Sequence, residues 1–298
     1  MKGLVLLFLT LLIVSGCKKE QIFIDDNFWV EEDPALHGFD VKALDSVLQN
    51  AANLPNFYAL LVIRNQKLVA EEYYKGKNAN DLFHLRSITK NFTSALSGIA
   101  IQEGLLDSAD MPIKKYFPAF IHGDKEAITI RHLLNMASGL EWDENEEIID
   151  LIEHKIPKPV EYLLAKDLSE QPATRFNYNS LSPHVVAHII TKETNQSLHA
   201  YAKEKLFDPL GIKRFEWQKD PQGADWGGFG LQLTARDLAK FGQLYLNGGV
   251  WEGQQVVPQE WVQESANQQI GISGTTSGYS FQWWISRGLG APIYYGQG

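Results

Sequence analysis

The chain has 298 residues, 27 Lys and Arg against 36 Asp and Glu, and a formal net charge of −9. That length suits one large domain with a sizeable core, and the acidic balance with no basic cluster argues against nucleic acid as a partner. A single cysteine, Cys17, rules out an internal disulfide and a thiolate metal cluster.

Residues 1–17 read as an export signal. Lys2 gives the positive start, and Leu4 to Val14 is an apolar core too short to span a membrane. Val14-Ser15-Gly16-Cys17 looks like a bacterial lipobox, which predicts a signal peptide over 1–16 and lipidation at Cys17. Residues 17–36 then form a lipidated, charged tether, and 37–298 form the folded body. The implied location is the cell envelope, on the periplasmic or surface side.

Along the body, Val41 to Asn53 has helical spacing and stops before Pro55. Phe57 to Ile63 and Leu68 to Tyr74 are strand-like runs around Asn65-Gln66, a hairpin signal. A helix is predicted from Ser87 to about Gly104. Thr129 is a plausible N-cap for Ile130–Ala137, and Ser182-Pro183 opens another helix with Pro at its first turn. Thr234-Ala-Arg-Asp237 resembles a capping box for Ala235–Leu246, which Asn247-Gly-Gly249 ends. Strand-like segments return at Tyr279–Ile285 and Ile293–Tyr295. Strands, a long helical stretch and strands again predict an α+β fold: an antiparallel sheet drawn from both chain ends, flanked by helices, with a mostly helical inserted lobe.

Within the predicted helix start lies Ser87-Ile88-Thr89-Lys90. Three residues apart on a helix, both side chains share a face, so the lysine amine can accept the serine proton. The helix dipole favours charge developing on the serine oxygen. A bare Ser-x-x-Lys arises about once by chance in a chain of this length, and Ser15-Gly-Cys-Lys18 is such a decoy. Ser87 is the candidate nucleophile and Lys90 the candidate base of an acyl-enzyme mechanism that needs no histidine triad, cofactor or metal. No Gly-x-Ser-x-Gly is present. His184 and His188 stand four apart, the spacing of a zinc pair, but Val185 breaks His-Glu-x-x-His and the apolar surroundings favour packed histidines.

Several passages resemble the penicillin-recognising serine hydrolases: class C β-lactamases, D-alanyl-D-alanine peptidases, related esterases and the 6-aminohexanoate-dimer hydrolase branch. They include Leu85-Arg-Ser-Ile-Thr-Lys90, Ile130-Arg-His-Leu-Leu-Asn-Met-Ala-Ser-Gly-Leu140, Phe176-Asn-Tyr-Asn-Ser180, Gly228-Phe-Gly-Leu-Gln-Leu-Thr-Ala-Arg-Asp237 and Tyr279-Ser-Phe-Gln-Trp-Trp284. The resemblance implies a β-lactamase/transpeptidase-like fold. It makes Tyr178 the proton shuttle to the leaving group, with a phenol pKa lowered by the nearby lysine. Ser180 stands where β-lactamases have Asn, which points toward the branch acting on linear amides and esters. Trp142-Asp143-Glu144 and Trp226-Gly-Gly-Phe229 fall near the cleft by resemblance, without a catalytic assignment. Tyr294-Tyr-Gly-Gln-Gly298 looks like the start of the third motif, whose backbone N–H completes an oxyanion hole with that of Ser87. The family would continue further, so the resemblance also implies missing final strands and a missing C-terminal helix.

The expected function is a serine hydrolase acting on a small amide, ester or peptide-like substrate. A β-lactamase or D-alanyl-D-alanine carboxypeptidase is the alternative within the class. A non-catalytic envelope lipoprotein that binds ligands is the alternative outside it.

Overall fold

The computed structural model describes residues 28–287 and 292–298; the signal peptide and Cys17 lie outside the described residues. In chain order come α1 (Val41–Ala51), β1 (Ala59–Arg64), β2 (Lys67–Tyr73), β3 (Phe83–His84), α2 (Thr89–Gln102) and α3 (Ile130–Leu134). Then follow α4 (Glu144–Ile152), α5 (Pro159–Ala165), α6 (Ser182–Thr194), α7 (Leu198–Ala202), β4 (Glu216–Trp217), β5 (Leu231–Leu233) and α8 (Ala235–Leu246). The chain continues through β6 (Val250–Trp251), β7 (Gln254–Gln255), α9 (Gln259–Ala266), β8 (Ile270–Gly271), β9 (Gly278–Ser280), β10 (Trp283–Ser286) and β11 (Ile293–Tyr295).

The helical middle packs around α2. Every residue from Thr89 to Ala100 is buried, as expected for a helix at the centre of a large body. Phe92 stacks on Phe241 of α8 at 3.9 Å, while α6 packs along another side of α2. Gly98 makes room for Trp261 of α9: a Cβ there would lie 2.5 Å from the indole ring. The Trp261 indole N–H donates to Ser94 Oγ at 3.3 Å. The helix thus reaches the site held by aromatic packing on several faces.

Among the described residues the strands form antiparallel ladders: hairpin β1–β2, a sheet in the order β11-β10-β9-β8, a sheet in the order β3-β5-β4, and hairpin β6–β7. The first hairpin turns on Asn65 and Gln66, both at positive φ, the backbone shape that matches strand twist in a two-residue turn. The two chain ends therefore carry separate ladders here, a hairpin and a four-stranded sheet, rather than one continuous ladder.

Two elements differ from the sequence expectation for a definable reason. Tyr279–Ile285 is a hairpin, not one strand, because Phe281 and Gln282 take φ of 41° and 71°. That unfavourable turn is held from outside. Asn135 Oδ1 accepts from the Phe281 N–H at 2.8 Å, the Leu134 carbonyl accepts from Gln282, and Asn91 donates to the Gln282 carbonyl at 2.8 Å. The diverted groups at Leu134 and Asn135 also mark where α3 stops, three residues short of the predicted Ala137.

Residues 28–36, read above as tether, are docked on the body. Trp29 is buried and its indole N–H donates to the Arg236 carbonyl at 3.2 Å. Phe28 stacks on Trp251 at 4.5 Å, and Glu31 forms a parallel bridge with Leu68 of β2. A one-residue bridge leaves no periodic trace in sequence, so only the aromatic pair could have signalled it.

Candidate active site

Ser87 sits in a single 3-10 turn, Arg86–Ile88, that feeds directly into α2. The residue before it, Arg86, has φ of 51°, a left-handed conformation that costs a non-glycine residue about 1 kcal/mol or more. The turn is held by the Thr89 hydroxyl donating to the Arg86 carbonyl at 2.7 Å, and by the Arg86 N–H donating to His84 Nδ1 at 3.2 Å.

One turn on, Lys90 is buried, with Nζ 2.8 Å from Ser87 Oγ, 3.0 Å from Ser180 Oγ and 2.7 Å from the Gly228 carbonyl. Burial pulls the lysine down to about 7, and the Glu144 carboxylate partly opposes this by favouring the ammonium. The polarity of the three contacts follows from chemistry. The Gly228 carbonyl can only accept. Ser180 Oγ donates to Glu144 Oε1, so toward Lys90 it too accepts. A neutral amine spends its two N–H groups on those acceptors and has its lone pair left for the Ser87 hydroxyl.

Glu144 is the residue whose role the sequence did not disclose. It opens α4, capped by Asp143, whose side chain accepts from the Asn145 and Glu146 N–H groups. Its Oε2 accepts from the Ser180 N–H at 2.9 Å and from the Trp142 indole at 2.7 Å. A signal for this helix was present: Asp143 at the cap with an acidic first turn, and Glu147 reaching back to the Asp143 N–H at 3.0 Å.

Tyr178 stands beside the lysine, with Lys90 Nζ 5.0 Å from its ring centroid and Trp284 stacked on it at 5.7 Å. The expected lowering of its phenol pKa is not what the site produces. Burial pushes the phenol above its ordinary value; a hydrogen bond with Ser87 pulls the other way without reversing it, and the Glu144 charge adds to the rise. A lysine near neutrality supplies too little positive charge to reverse this. Tyr178 is therefore a protonated phenol, a donor rather than a phenolate.

Gly227 and Gly228 are set by close approach. A Cβ on Gly228 would lie 2.1 Å from the Ser180 carbonyl, and one on Gly227 would lie 2.4 Å from that of Pro183. Thr93 Oγ1 donates to the Gly227 carbonyl at 2.8 Å, so α2 grips this loop at two successive carbonyls. Gly296 and Gly298 lie against Asn91 and the Leu85 carbonyl, bringing the segment after β11 to the turn that carries Ser87.

A cavity of about 400 Å³ opens beside Ser87 and Ser180. Glu144, Ile148 and Ile152, one face of α4, form a wall, and Phe229 also lines the cavity. Arg86, His84, His154 and Gln218 complete the lining.

His184 and His188 lie elsewhere. His184 is buried, accepts the Gly227 N–H at Nδ1 and faces Asp220 from Nε2 at 3.1 Å. His188 Nδ1 faces the His184 carbonyl. The potential ligand atoms of His184, His188 and Asp220 lie within 4.8 Å of one another, but both nitrogens of His184 are already used by protein groups.

A buried lysine joined to a serine at the head of a central helix, flanked by antiparallel sheets, defines a serine hydrolase of the β-lactamase fold. The chain belongs to the beta-lactamase family, whose model matches residues 54–298. A 6-aminohexanoate-dimer hydrolase of Paenarthrobacter ureafaciens is 26% identical over 85% of this chain and 72% of its own length. Among solved structures, a candidate 6-aminohexanoate-dimer hydrolase from Bacillus anthracis aligns with TM-score 0.72 and 25% identity, covering 81% of this chain and 67% of that one. An octameric penicillin-binding protein homologue from Pyrococcus abyssi aligns with TM-score 0.70 at 22% identity, over 86% and 67%. Other curated relatives are spanned less fully, with 37% of the length of the Staphylococcus aureus protein flp covered.

Proposed function

We propose that this chain hydrolyses a small linear amide or ester through an acyl-enzyme on Ser87. The observation that carries the proposal is the polarity of the Lys90 contacts, which leaves the amine lone pair for the Ser87 hydroxyl. Ser87 Oγ bonds to the substrate carbonyl carbon as its proton passes to Lys90 Nζ. The protonated Tyr178 phenol gives its proton to the departing nitrogen or oxygen, and the bond to the leaving group breaks. Water then hydrolyses the acyl-enzyme, with the proton flow reversed. The Ser87 N–H, with a donor from the 296–298 segment, is assigned to the oxyanion. Ser180 is assigned to substrate binding and to orienting Lys90.

The test is the intact mass of a soluble chain lacking residues 1–17 after a fluorophosphonate probe, beside Ser87→Ala. A mass increase in the parent that is lost in the variant supports the acyl-enzyme reading. No increase in folded parent protein overturns it and leaves a ligand-binding role. A β-lactamase or D-alanyl-D-alanine carboxypeptidase is a narrower alternative, supported by the family and favoured if a chromogenic cephalosporin is turned over. Ser180 in place of Asn speaks for the linear substrate.

Export and lipid anchoring at Cys17 are proposed on sequence alone. Metabolic labelling with a palmitate analogue, lost in Cys17→Ser, tests them.

A further inference from the structure

The cavity beside Ser87 has an uneven charge pattern. Its one carboxylate, Glu144, has both oxygens engaged, by the Ser180 hydroxyl and N–H and the Trp142 indole. It is therefore no ready partner for a cationic ligand. Its guanidinium, Arg86, forms no ion pair and no side-chain hydrogen bond among the described residues, although it lines the cavity and adjoins the nucleophile. The remaining polar lining, His84, His154 and Gln218, adds no negative charge. The cavity also has an apolar part. Ile148 and Ile152 follow Glu144 at four-residue steps along α4, and Phe229 lines the same cavity. Ile152 is 46% exposed, an apolar side chain left open at the cavity.

The cavity also has a direction. Tyr178, the donor assigned to the leaving group, does not line it, whereas Ser87, Ser180 and Glu144 do. With Tyr178 assigned to the leaving group, the acyl portion of the substrate is assigned to this space.

We propose that this cavity receives an acyl chain that is short, aliphatic and terminated by a carboxylate, which pairs with Arg86. The substrate class is the mono-amides or mono-esters of small aliphatic dicarboxylic acids. This rests on the acyl-enzyme reading above and specifies what forms the acyl group. A planar guanidinium meets a carboxylate with two parallel hydrogen bonds, giving a preference that a neutral chain of equal length cannot obtain. The chain's overall negative charge disfavours anions at long range, but at physiological salt that field is screened within about 8 Å, leaving the adjacent cation to decide.

The experiment compares kcat/KM for 4-nitrophenyl hemiglutarate and 4-nitrophenyl pentanoate, equal in chain length, in the parent chain, Arg86→Gln and Arg86→Lys. A third ester, 3-carboxy-4-nitrophenyl pentanoate, puts the carboxylate on the leaving group. The parent should prefer the hemiglutarate by about ten-fold, the scale of one charge-assisted pair. Arg86→Gln should remove most of that ratio and Arg86→Lys restore part of it, with melting temperatures confirming folded variants. The preference should shrink as ionic strength rises. Equal rates for the two acyl chains in the parent, or a ratio unmoved by Arg86→Gln, overturn the inference while leaving the acyl-enzyme intact. A loss confined to the third ester moves the anion to the leaving side and overturns the acyl assignment. Failure of all three esters together with no fluorophosphonate adduct overturns the acyl-enzyme reading, and this inference with it.

Discussion

Two buried titratable clusters sit on either side of the Gly227-Gly228 loop, and they have opposite characters. Lys90 hydrogen-bonds the Gly228 carbonyl from one side, while His184 accepts the Gly227 N–H from the other. Both groups are buried, and burial lowers both, Lys90 to about 7 and His184 to about 4. The difference is what remains unspent. The ring nitrogens of His184 are both taken by protein groups, and it does not line the cavity beside Ser87. Lys90 keeps a lone pair aimed at a serine that lines a 400 Å³ cavity. A shifted pKa alone therefore marks neither as reactive. An unspent valence beside open space does.

The comparison breaks most sharply at the nucleophile. Ser87→Ala should lower kcat/KM by on the order of 10⁴-fold or more, measured with an activated ester, while His184→Gln in a folded variant should stay within about ten-fold of the parent. If the histidine variant loses as much, the two clusters act as one.

The pH dependence separates them next. Only neutral Lys90 can accept a proton, so kcat/KM should rise with pH through about 7 and level off above it. His184 works in a different window and on stability. Its folded pKa lies below the ordinary 6.5, so the unfolded chain binds more protons between pH 6.5 and about 4. Stability should fall as pH drops through that range, by about 3 kcal/mol from this group. Urea midpoints across the range read it, and Asp220→Ala should steepen or displace the loss.

Glu144→Gln sharpens the picture on the reactive side. The substitution removes the charge that favours the ammonium, so the acid limb of kcat/KM should move below 7, with a loss of about ten-fold from misoriented Ser180 and Lys90. A drop in rate with no shift of the limb would reduce Glu144 to a structural cap. The smallest effect on activity is expected from Asp220→Ala. It should cost about 2–3 kcal/mol, because the Gln222 and Ala224 N–H groups lose their shared acceptor. Above pH 8 its kcat/KM should stay within about two-fold of the parent.

Much of this arrangement was legible in the sequence where a local rule decides it. The starts of α1, α6 and α8 follow from helical spacing at Val41, from Pro183 at a first turn and from the Thr234 cap. Asn65-Gln66 marks the first hairpin, and Ser87 with Lys90 needs only helical spacing to meet. What the residues did not disclose depends on partners remote in sequence. The hairpin at Phe281-Gln282 exists because Asn91, Leu134 and Asn135 hold a backbone shape that its own residues disfavour. Residues 28–36 dock because Trp29 finds Arg236 and Phe28 finds Trp251.

The sequence by itself determined the family and the α+β fold, and picked out a serine, a lysine and a tyrosine as the candidates for acyl transfer. Only the tertiary structure decided their protonation. Burial of Lys90 brings its amine to about 7, and burial of Tyr178 keeps its phenol protonated against the expectation from residue type. It also made Glu144 the acceptor that orients Ser180, 36 residues away. Spacing along a chain fixes which neighbours a residue can meet within a helix or turn; desolvation and charge depend on everything that packs around it.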